Sequence, residues 1–313
     1  MKKDLVRIID CDVEFLRRVL ELGAELKSRR RYPSLGKPLD GLAIATIYEK
    51  PSTRTKVSFE VGIRELGAQV VELTRQGSQL SRGETIADTA HTLERYVDAI
   101  VFRAFSHDSV TEMARRARVP VVNALTDLYH PCQVLSDLLT IEEACGTTEV
   151  PITFMGNGSN VAHSLLGAAA KLGLHLTIAT PPTAMPLDWI VDEAVRAGRQ
   201  TGAEIKLTND PVAGVRGARV IYTDVWFDMG KDDPTPSRAG WRSTRASRLT
   251  PSCWETPPRM RSSCTACLRN AGGRRPTTSS TAPNPSSSAR PRIACTSRKR
   301  SCVCFWTRTH SRH

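Results

Sequence analysis

Two periods of apolar and polar residues alternate along residues 1–235 of the chain. Short apolar runs rich in β-branched residues predict buried parallel strands, and these cover residues 42–49, 68–73, 98–105, 119–125, 149–156, 174–181 and 219–226. Apolar residues at helical spacing predict helices between them, over residues 13–30, 55–67, 84–96, 109–117, 133–145, 160–173 and 187–202. Because strands that alternate with helices form parallel sheets with right-handed crossovers, we predict an α/β fold.

The predicted helix over residues 133–145 is long enough to link two such sheets. We therefore predict two doubly wound parallel-sheet domains, over residues 1–136 and 137–235. The alternation stops after residue 235, where Pro, Ser, Thr and Arg dominate and neither period continues. The second domain is thus expected to be incomplete, and residues 236–313 are interpreted as an aberrant, disordered tail.

The positive charge of the chain is confined to this tail. The whole chain carries a net charge of +12, and residues 236–313, with 15 Arg, one Lys and one Glu, carry +15. Residues 1–235 therefore carry −3, a balance typical of a soluble enzyme. We expect neither a nucleic-acid partner nor a membrane partner for this part of the protein.

Cysteine usage and the N-terminal sequence favour a cytoplasmic protein. Three of the nine cysteines, Cys11, Cys132 and Cys145, lie before the tail, which is too few for a disulfide framework. Residues 1–15 lack the long apolar core of a signal peptide, and no run of about 18 apolar residues is present to span a bilayer.

The first predicted strand ends at a candidate anion site. Ser52, Thr53, Arg54 and Thr55 lie where this strand passes into a helix. Ligands of open α/β sheets bind at the carboxyl ends of strands, and the free N–H groups of a helix N-terminus suit a phosphate. Hydroxyl and guanidinium donors strengthen that interpretation. The alternative is a simple Ser or Thr N-cap with a solvated arginine.

Two further strand ends carry polar side chains. Arg103 follows one strand, and His130 and Gln133 follow the next. Alone, such an arginine is usually a surface residue and such a histidine is usually structural. Together, and beside an anion loop, the three side chains could hold a carbonyl oxygen and stabilise the oxyanion of acyl transfer from a phosphorylated carbonyl.

The same residues carry a family resemblance. PSTRTKVSFE, FR and HPCQVLSDLLTI, in this order and spacing, resemble the carbamoyltransferases, and Cys132 within HPCQ resembles the ornithine branch. The resemblance continues through SQLSRGETIADT, MGNGSNVAHSLL and TDVWFDMG. It covers residues 1–230, and several motifs in series are far more specific than any one of them.

The family transfers a carbamoyl group from carbamoyl phosphate to the δ-amine of ornithine, giving citrulline and phosphate, without any cofactor. The resemblance implies that Arg103, His130 and Gln133 are catalytic. The implied carbamoyl phosphate-binding residues are Ser52, Thr53, Arg54, Thr55, Gln79, Arg103, His130, Pro131, Cys132 and Gln133, and the implied ornithine-binding residues are Asn160, Asp224, Asp228 and Met229. In the family, a glutamine at the position of Gln79 reaches a neighbouring subunit, so we expect a homotrimer or a multiple of trimers.

The sequence departs from the family pattern at two places. Asn157 stands where the family has Asp, and Asp228 stands where the family has a Ser that faces the amino-acid substrate. An aspartate at 228 would repel an α-carboxylate, so another amine is an alternative acceptor. A dinucleotide loop is a weaker interpretation of GNGSNV, because Val161 replaces the third Gly and the next strand ends without an acidic residue.

The tail lacks two further family motifs, HCLP and an ENR segment that leads into a closing helix. In a shifted reading frame of the tail, each new codon starts at the third base of a tail codon. In this frame, the possible codons of residues 257–272 permit a sequence containing HCLP, and those of residues 279–301 permit one containing ENR. We hypothesise one insertion or deletion between about codons 231 and 246 and expect impaired activity. As zinc ligands, the tail offers Cys264-x-x-Cys267 without a partner pair at matching spacing.

Three functions follow in order of preference. The first is ornithine carbamoyltransferase by descent, in arginine biosynthesis or the reverse catabolic step. The second is a carbamoyltransferase for another amine or amino acid. The third is a non-enzymatic nucleic-acid binder that uses the basic tail.

Overall fold

The computed structural model describes residues 2–30, 36–74, 77, 79 and 83–224, together with the backbone of residues 293–298 and 301–306. Residues 2–125 contain a four-stranded parallel sheet in the order β2-β1-β3-β4. Its strands are β1 (Ala43–Tyr48), β2 (Gln69–Thr74), β3 (Ala99–Arg103) and β4 (Val121–Leu125). The accompanying helices are α1 (Val13–Arg29), α2 (Thr53–Glu65), α3 (Ile86–Leu93) and α4 (His107–Arg116). The central strands β1 and β3 are almost fully buried, as their apolar runs predict.

A second parallel sheet of four strands has the order β7-β6-β5-β8. Its strands are β5 (Ile152–Met155), β6 (His175–Ala179), β7 (Glu204–Thr208) and β8 (Val220–Thr223). The helices are α5 (Pro131–Cys145), which links the two sheets, α6 (Asn160–Leu172), α7 (Asp188–Gly198) and α8 (Pro211–Val215). Two parallel α/β sheets are therefore present, and the predicted fold class is confirmed. No helix among the described residues is long and apolar enough to cross a membrane.

Polar caps and glycines set the helix ends that shape the loops. Ser52 and Thr85 each accept a hydrogen bond from a backbone N–H in the first turn of the helix that they begin. Gly173 ends α6 with φ of 69°, and a Cβ there would lie 2.7 Å from the carbonyl oxygen of Thr201. That position therefore requires glycine.

One apolar core joins the linker helix to the second sheet. Leu16 of α1, Leu138 of α5, Phe154 of β5 and Leu166 of α6 belong to the same buried cluster. Because α1 packs on α5 and α5 packs on α6, the two sheets share structural support and hold their loops in a fixed relation.

Within the predicted tail, the structure describes a backbone hairpin of β9 (Ile293–Arg298) and β10 (Ser301–Trp306). Strand β10 pairs antiparallel with β8 and so extends the second sheet at that edge. The rest of the tail lies outside the described residues, and the two boundaries between the three predicted segments remain a prediction.

Candidate active site

Strand order places the predicted site residues at two matching points. In each sheet the chain first builds strands on one side of the starting strand and then crosses to the other side, so the order reverses beside β1 and beside β5. Ligands of open α/β sheets bind at this reversal, outside the carboxyl ends of the strands. The loops after β1 and β3 lie at the first reversal, and the loops after β5 and β8 lie at the second.

The anion loop is the N-terminus of α2. Ser52 caps the helix, with its Oγ accepting from the N–H of Thr55 at 3.3 Å and donating to the Thr55 hydroxyl at 3.0 Å. Arg54 is exposed on the first turn. The N-cap interpretation is therefore correct for Ser52, and it coexists with the anion interpretation because the helix dipole and its remaining first-turn N–H groups still face the loop.

Arg103 lies at the end of β3, beside the end of β1. Its Nη1 donates to the Thr55 hydroxyl at 3.1 Å, and the residue is only 2% exposed. Its Nε has no hydrogen-bond partner among the described residues. Burial, and then the nearby charge of Arg54, lower the pKa of Arg103. A buried cation with an unused donor is costly by itself, and an anion bound between Arg103 and α2 would relieve that cost.

His130 is the N-cap residue of α5 and lies near both arginines. Its backbone N–H donates to Ser164 Oγ at 2.8 Å, and its Nδ1 has no hydrogen-bond partner in the part of the chain that the structure describes. Burial, followed by the charges of Arg103 and Arg54, lowers the pKa of His130 to about 3. Without a ligand the imidazole is therefore neutral at physiological pH, and in this form it can donate a hydrogen bond to a carbonyl oxygen.

Gln133 lies one helical turn before Asp137 on α5. Its Nε2 donates to both carboxylate oxygens of Asp137, at 3.0 and 3.1 Å. An ionised carboxylate only accepts hydrogen bonds, so the amide nitrogen of Gln133 must face it and the carbonyl oxygen must point elsewhere. Gln133 therefore offers an acceptor, which suits the amino group of a carbamoyl ligand better than its carbonyl oxygen.

Pro131 and Cys132 form the first turn of α5. Cys132 Sγ donates to the carbonyl oxygen of Asn123 at 3.4 Å, and burial raises the pKa of its thiol to about 12. A thiol with this pKa is not a nucleophile at neutral pH. Its role is to pack the start of the helix that presents His130 and Gln133.

The second sheet approaches the first through α6. Asn160 Nδ2 donates to the carbonyl oxygen of Thr126 at 2.8 Å, and His163 hydrogen-bonds the carbonyl oxygen of Leu128 at 3.0 Å. The loop after β4 is thus clamped to the start of α6. This clamp brings Asn160 to the crevice that holds His130.

Asp224 follows β8 and lies next to the end of β5. A Cβ built on Gly156 would lie 3.9 Å from the backbone nitrogen of Asp224. A Cβ on Gly158 would lie 2.1 Å from the nitrogen of Pro186, so this glycine is required by packing against the loop before α7.

The remaining predicted residues are less constrained. Gln79 is exposed on the loop after β2, where its carbonyl oxygen accepts from the Glu84 N–H at 3.2 Å. Asp228 and Met229 lie outside the described residues. Among the described residues, no three His, Cys, Asp or Glu side chains gather in a way that could hold a metal ion.

A cavity of about 600 Å³ lies away from these residues, between the N-terminal segment, α4 and α7. Its charged lining is already paired, since Arg7 binds Asp10 at 2.5 Å and Glu193 at 3.0 Å, and Lys2 binds Asp4 at 3.1 Å. Paired charges leave fewer free hydrogen-bond donors for a small anion than the partly unpaired donors beside α2 do. The crevice at the carboxyl ends of the strands, which holds Arg103 and His130, is therefore the better candidate site.

Comparison with known families identifies the family of the chain. Residues 3–143 match the model of the carbamoyl-phosphate-binding domain of aspartate/ornithine carbamoyltransferases, and residues 148–250 match the model of their aspartate/ornithine-binding domain. The chain belongs to the aspartate/ornithine carbamoyltransferase family. The predicted resemblance is confirmed.

Individual carbamoyltransferases match over nearly the same share of both chains. The ornithine carbamoyltransferase of Anoxybacillus flavithermus is 46% identical over 231 residues, which is 74% of each chain. That of Acidothermus cellulolyticus is 52% identical over 222 residues, 70% of each chain. Among solved structures, the Pyrococcus furiosus ornithine carbamoyltransferase has a TM-score of 0.72 at 43% identity, and the match covers 75% of this chain and 76% of that one.

Several residues that shape the site were not predicted. Thr126 anchors the loop after β4 to Asn160, and Ser164 anchors the start of α5 at His130. Asp137 accepts hydrogen bonds from Gln133 and Tyr222 and so orients the Gln133 amide. Gln133 and Asp137 lie four residues apart on a predicted helix, and this spacing could have indicated the contact between their side chains. Nothing in the sequence indicates that Tyr222 meets Asp137, because the two are 85 residues apart.

Proposed function

We propose that the crevice binds carbamoyl phosphate and transfers its carbamoyl group to the δ-amine of L-ornithine, giving citrulline and phosphate. The observation that carries this proposal is the buried Arg103 guanidinium, which shares Thr55 with the N-terminus of α2 and has an unused donor among the described residues. In a member of this family, a cation so placed is best explained by a phosphate or acyl-phosphate ligand.

The phosphate is held by the first turn of α2. Ser52, Thr53, Arg54 and Thr55 supply hydroxyl, guanidinium and backbone donors to it. Gln79 is assigned to the carbamoyl phosphate of a neighbouring subunit in a homotrimer, an assignment supported by its exposed position on the loop after β2. The oligomeric state is thereby part of the proposal, because each site would be incomplete without a partner.

Catalysis follows from positioning and charge. The neutral amine attacks the carbamoyl carbon, the bond between that carbon and the phosphate oxygen breaks, and the proton lost by the amine leaves with the phosphate. Arg103 and neutral His130 donate to the carbonyl oxygen as it becomes an oxyanion, and Gln133 accepts from the carbamoyl amino group. Pro131 and Cys132 fix the start of α5, which carries these groups.

Ornithine is assigned to the second sheet. Asn160 and Asp224 flank the reversal of strand order beside β5, and a carboxylate such as Asp224 suits the α-ammonium group of an amino acid. Asp228 and Met229 complete the assignment. A second acceptor, another amine or amino acid, is favoured by Asp228 alone, since a carboxylate there would repel the α-carboxylate of ornithine.

We further propose that this chain is impaired. Its tail lacks HCLP and ENR, while a shifted frame permits both, and the Anoxybacillus flavithermus relative is matched over only 74% of its length. A second domain without these segments lacks part of the acceptor site. The same chemistry in an intact relative of this chain would serve arginine biosynthesis, or the reverse catabolic step, in the cytoplasm.

Three measurements test the proposal and its nucleic-acid alternative. Sequencing the source gene should reveal a frame that remains open through HCLP and ENR, and two closed alternative frames would contradict the frame hypothesis. Isothermal titration should detect saturable binding of carbamoyl phosphate to the 313-residue chain, tighter than its binding of inorganic phosphate. Equal affinity for both ligands would contradict a carbamoyl site. Salt-dependent DNA binding that disappears with residues 236–313 would favour the nucleic-acid alternative if it is sequence-specific.

A further inference from the structure

Asp137 is a buried carboxylate on the linker helix. It is 8% exposed and accepts hydrogen bonds from the Nε2 of Gln133 and, at 2.7 Å, from the hydroxyl of Tyr222. Tyr222 is 1% exposed on β8, where its ring packs edge to face against Phe154 at 5.4 Å between centroids. One carboxylate therefore joins helix α5 to the strand that leads into Asp224.

This arrangement fixes the direction of the Gln133 amide. Both Asp137 oxygens are occupied by donors from Gln133, and one also receives the tyrosine hydroxyl. Since the carboxylate cannot donate, a flipped Gln133 would place two acceptors against each other and lose these contacts. The amide therefore presents its oxygen, and not its nitrogen, on the side that faces away from Asp137.

Burying a carboxylate in this way is costly compared with an apolar residue of the same size. Its partners hold it in one geometry, because Tyr222 is anchored by the core of the second sheet and Asp137 by the rigid helix. The network thus transmits the position of β8 to the side chain of Gln133.

We propose that Asp137 and Tyr222 are positioning residues, which hold Gln133 as an acceptor for the carbamoyl amino group and couple it to the strand that carries Asp224. This inference rests on the proposed function. It adds that recognition of the carbamoyl end of the ligand depends on a carboxylate and a tyrosine that do not touch the ligand, whereas recognition of the phosphate end does not.

The test compares two ligands on the full-length chain. Asp137→Asn keeps the size of the side chain but introduces an NH₂ group that requires an acceptor. Asn has only one acceptor oxygen, so Gln133 and Tyr222 can no longer both donate to carboxylate oxygens, and Gln133 either loses one of its two contacts or turns its NH₂ toward the ligand. Tyr222→Phe removes only the hydroxyl and keeps the ring on Phe154. Glu143→Gln is the matched control, because it makes the same chemical change at an exposed position of α5.

Carbamoyl phosphate and inorganic phosphate are titrated separately into each variant. Asp137→Asn should weaken carbamoyl phosphate binding by about tenfold, the effect of losing one hydrogen bond and gaining a mismatched donor, with phosphate affinity within about twofold of wild type. Tyr222→Phe should weaken carbamoyl phosphate binding by about threefold, and Glu143→Gln should match wild type. A thermal melt of each variant verifies that it is folded.

Each alternative outcome has one meaning. Wild-type affinity for carbamoyl phosphate in both Asp137→Asn and Tyr222→Phe overturns the inference. An equal loss for both ligands also overturns it, because the network would then be merely structural. If Asp137→Asn does not fold, Tyr222→Phe decides alone. Wild-type protein that does not prefer carbamoyl phosphate to phosphate contradicts the proposed function itself, and the inference falls with it.

Discussion

Replacing Arg103 by methionine should separate ligand binding from stability. The guanidinium is almost fully buried, with one hydrogen bond to Thr55 and an unused Nε among the described residues. Methionine fills a similar volume without a charge to desolvate, and Thr55 keeps its 3.0 Å contact with Ser52. The unliganded variant should therefore be as stable as wild type or up to about 2 kcal/mol more stable.

Ligand affinity should change in the opposite direction. Loss of charge-assisted hydrogen bonds from Arg103 should cost about 3 kcal/mol, which is about 100-fold in the Kd for inorganic phosphate. Isothermal titration gives the Kd, and urea unfolding without ligand gives the stability. Arg64→Met, the same change at an exposed position near the other end of α2, should alter neither. Wild-type phosphate affinity in Arg103→Met, or a loss of stability above about 1 kcal/mol, would refute the reasoning.

Three further changes have defined outcomes. The pKa of His130 is lowered to about 3 in the folded chain, so as pH falls the unfolded chain binds a proton before the folded chain does, and the free energy of unfolding decreases below about pH 6.5. In urea unfolding, His130→Gln should therefore recover up to about 2 kcal/mol of the stability that the wild type loses between pH 6.5 and 5. Cys132, with a pKa of about 12, should resist iodoacetamide at pH 8 until urea is added, as peptide mapping would show. Gly158→Ala should destabilise the chain by about 2 kcal/mol or more in thermal unfolding, because its Cβ meets the backbone of Pro186, whereas Gly62→Ala, in open space on α2, should be neutral or stabilising.

The central strands of the first sheet follow closely from the sequence because β1 and β3 are buried on both faces. Runs such as 42–49 and 98–105 are apolar throughout, and the structure places β1 and β3 within them. Strand β7 was not predicted, since Glu204–Thr208 alternates charged and apolar residues at a half-exposed edge and forms no continuous apolar run. Helix α8 was missed for a related reason, because Pro211–Val215 is a single turn that begins with proline.

The first half of the site was predictable for a different reason. Parallel strands end at one edge of a sheet, so Thr55, Arg103 and His130 could be placed together before their distances were known. Orientation was not predictable. That Gln133 presents an oxygen follows only from Asp137, whose second partner, Tyr222, comes from the other sheet.

Citrulline formation is the most direct test of the whole account. The 313-residue chain and a frame-restored version, in which the reading frame after codon 231 is shifted to encode HCLP and ENR, are assayed side by side with carbamoyl phosphate and ornithine. The account predicts that the restored protein forms citrulline and phosphate in equal amounts and that the 313-residue chain forms almost none. Normal citrulline formation by the 313-residue chain, or a restored protein that folds but carbamoylates only a different amine, would contradict it.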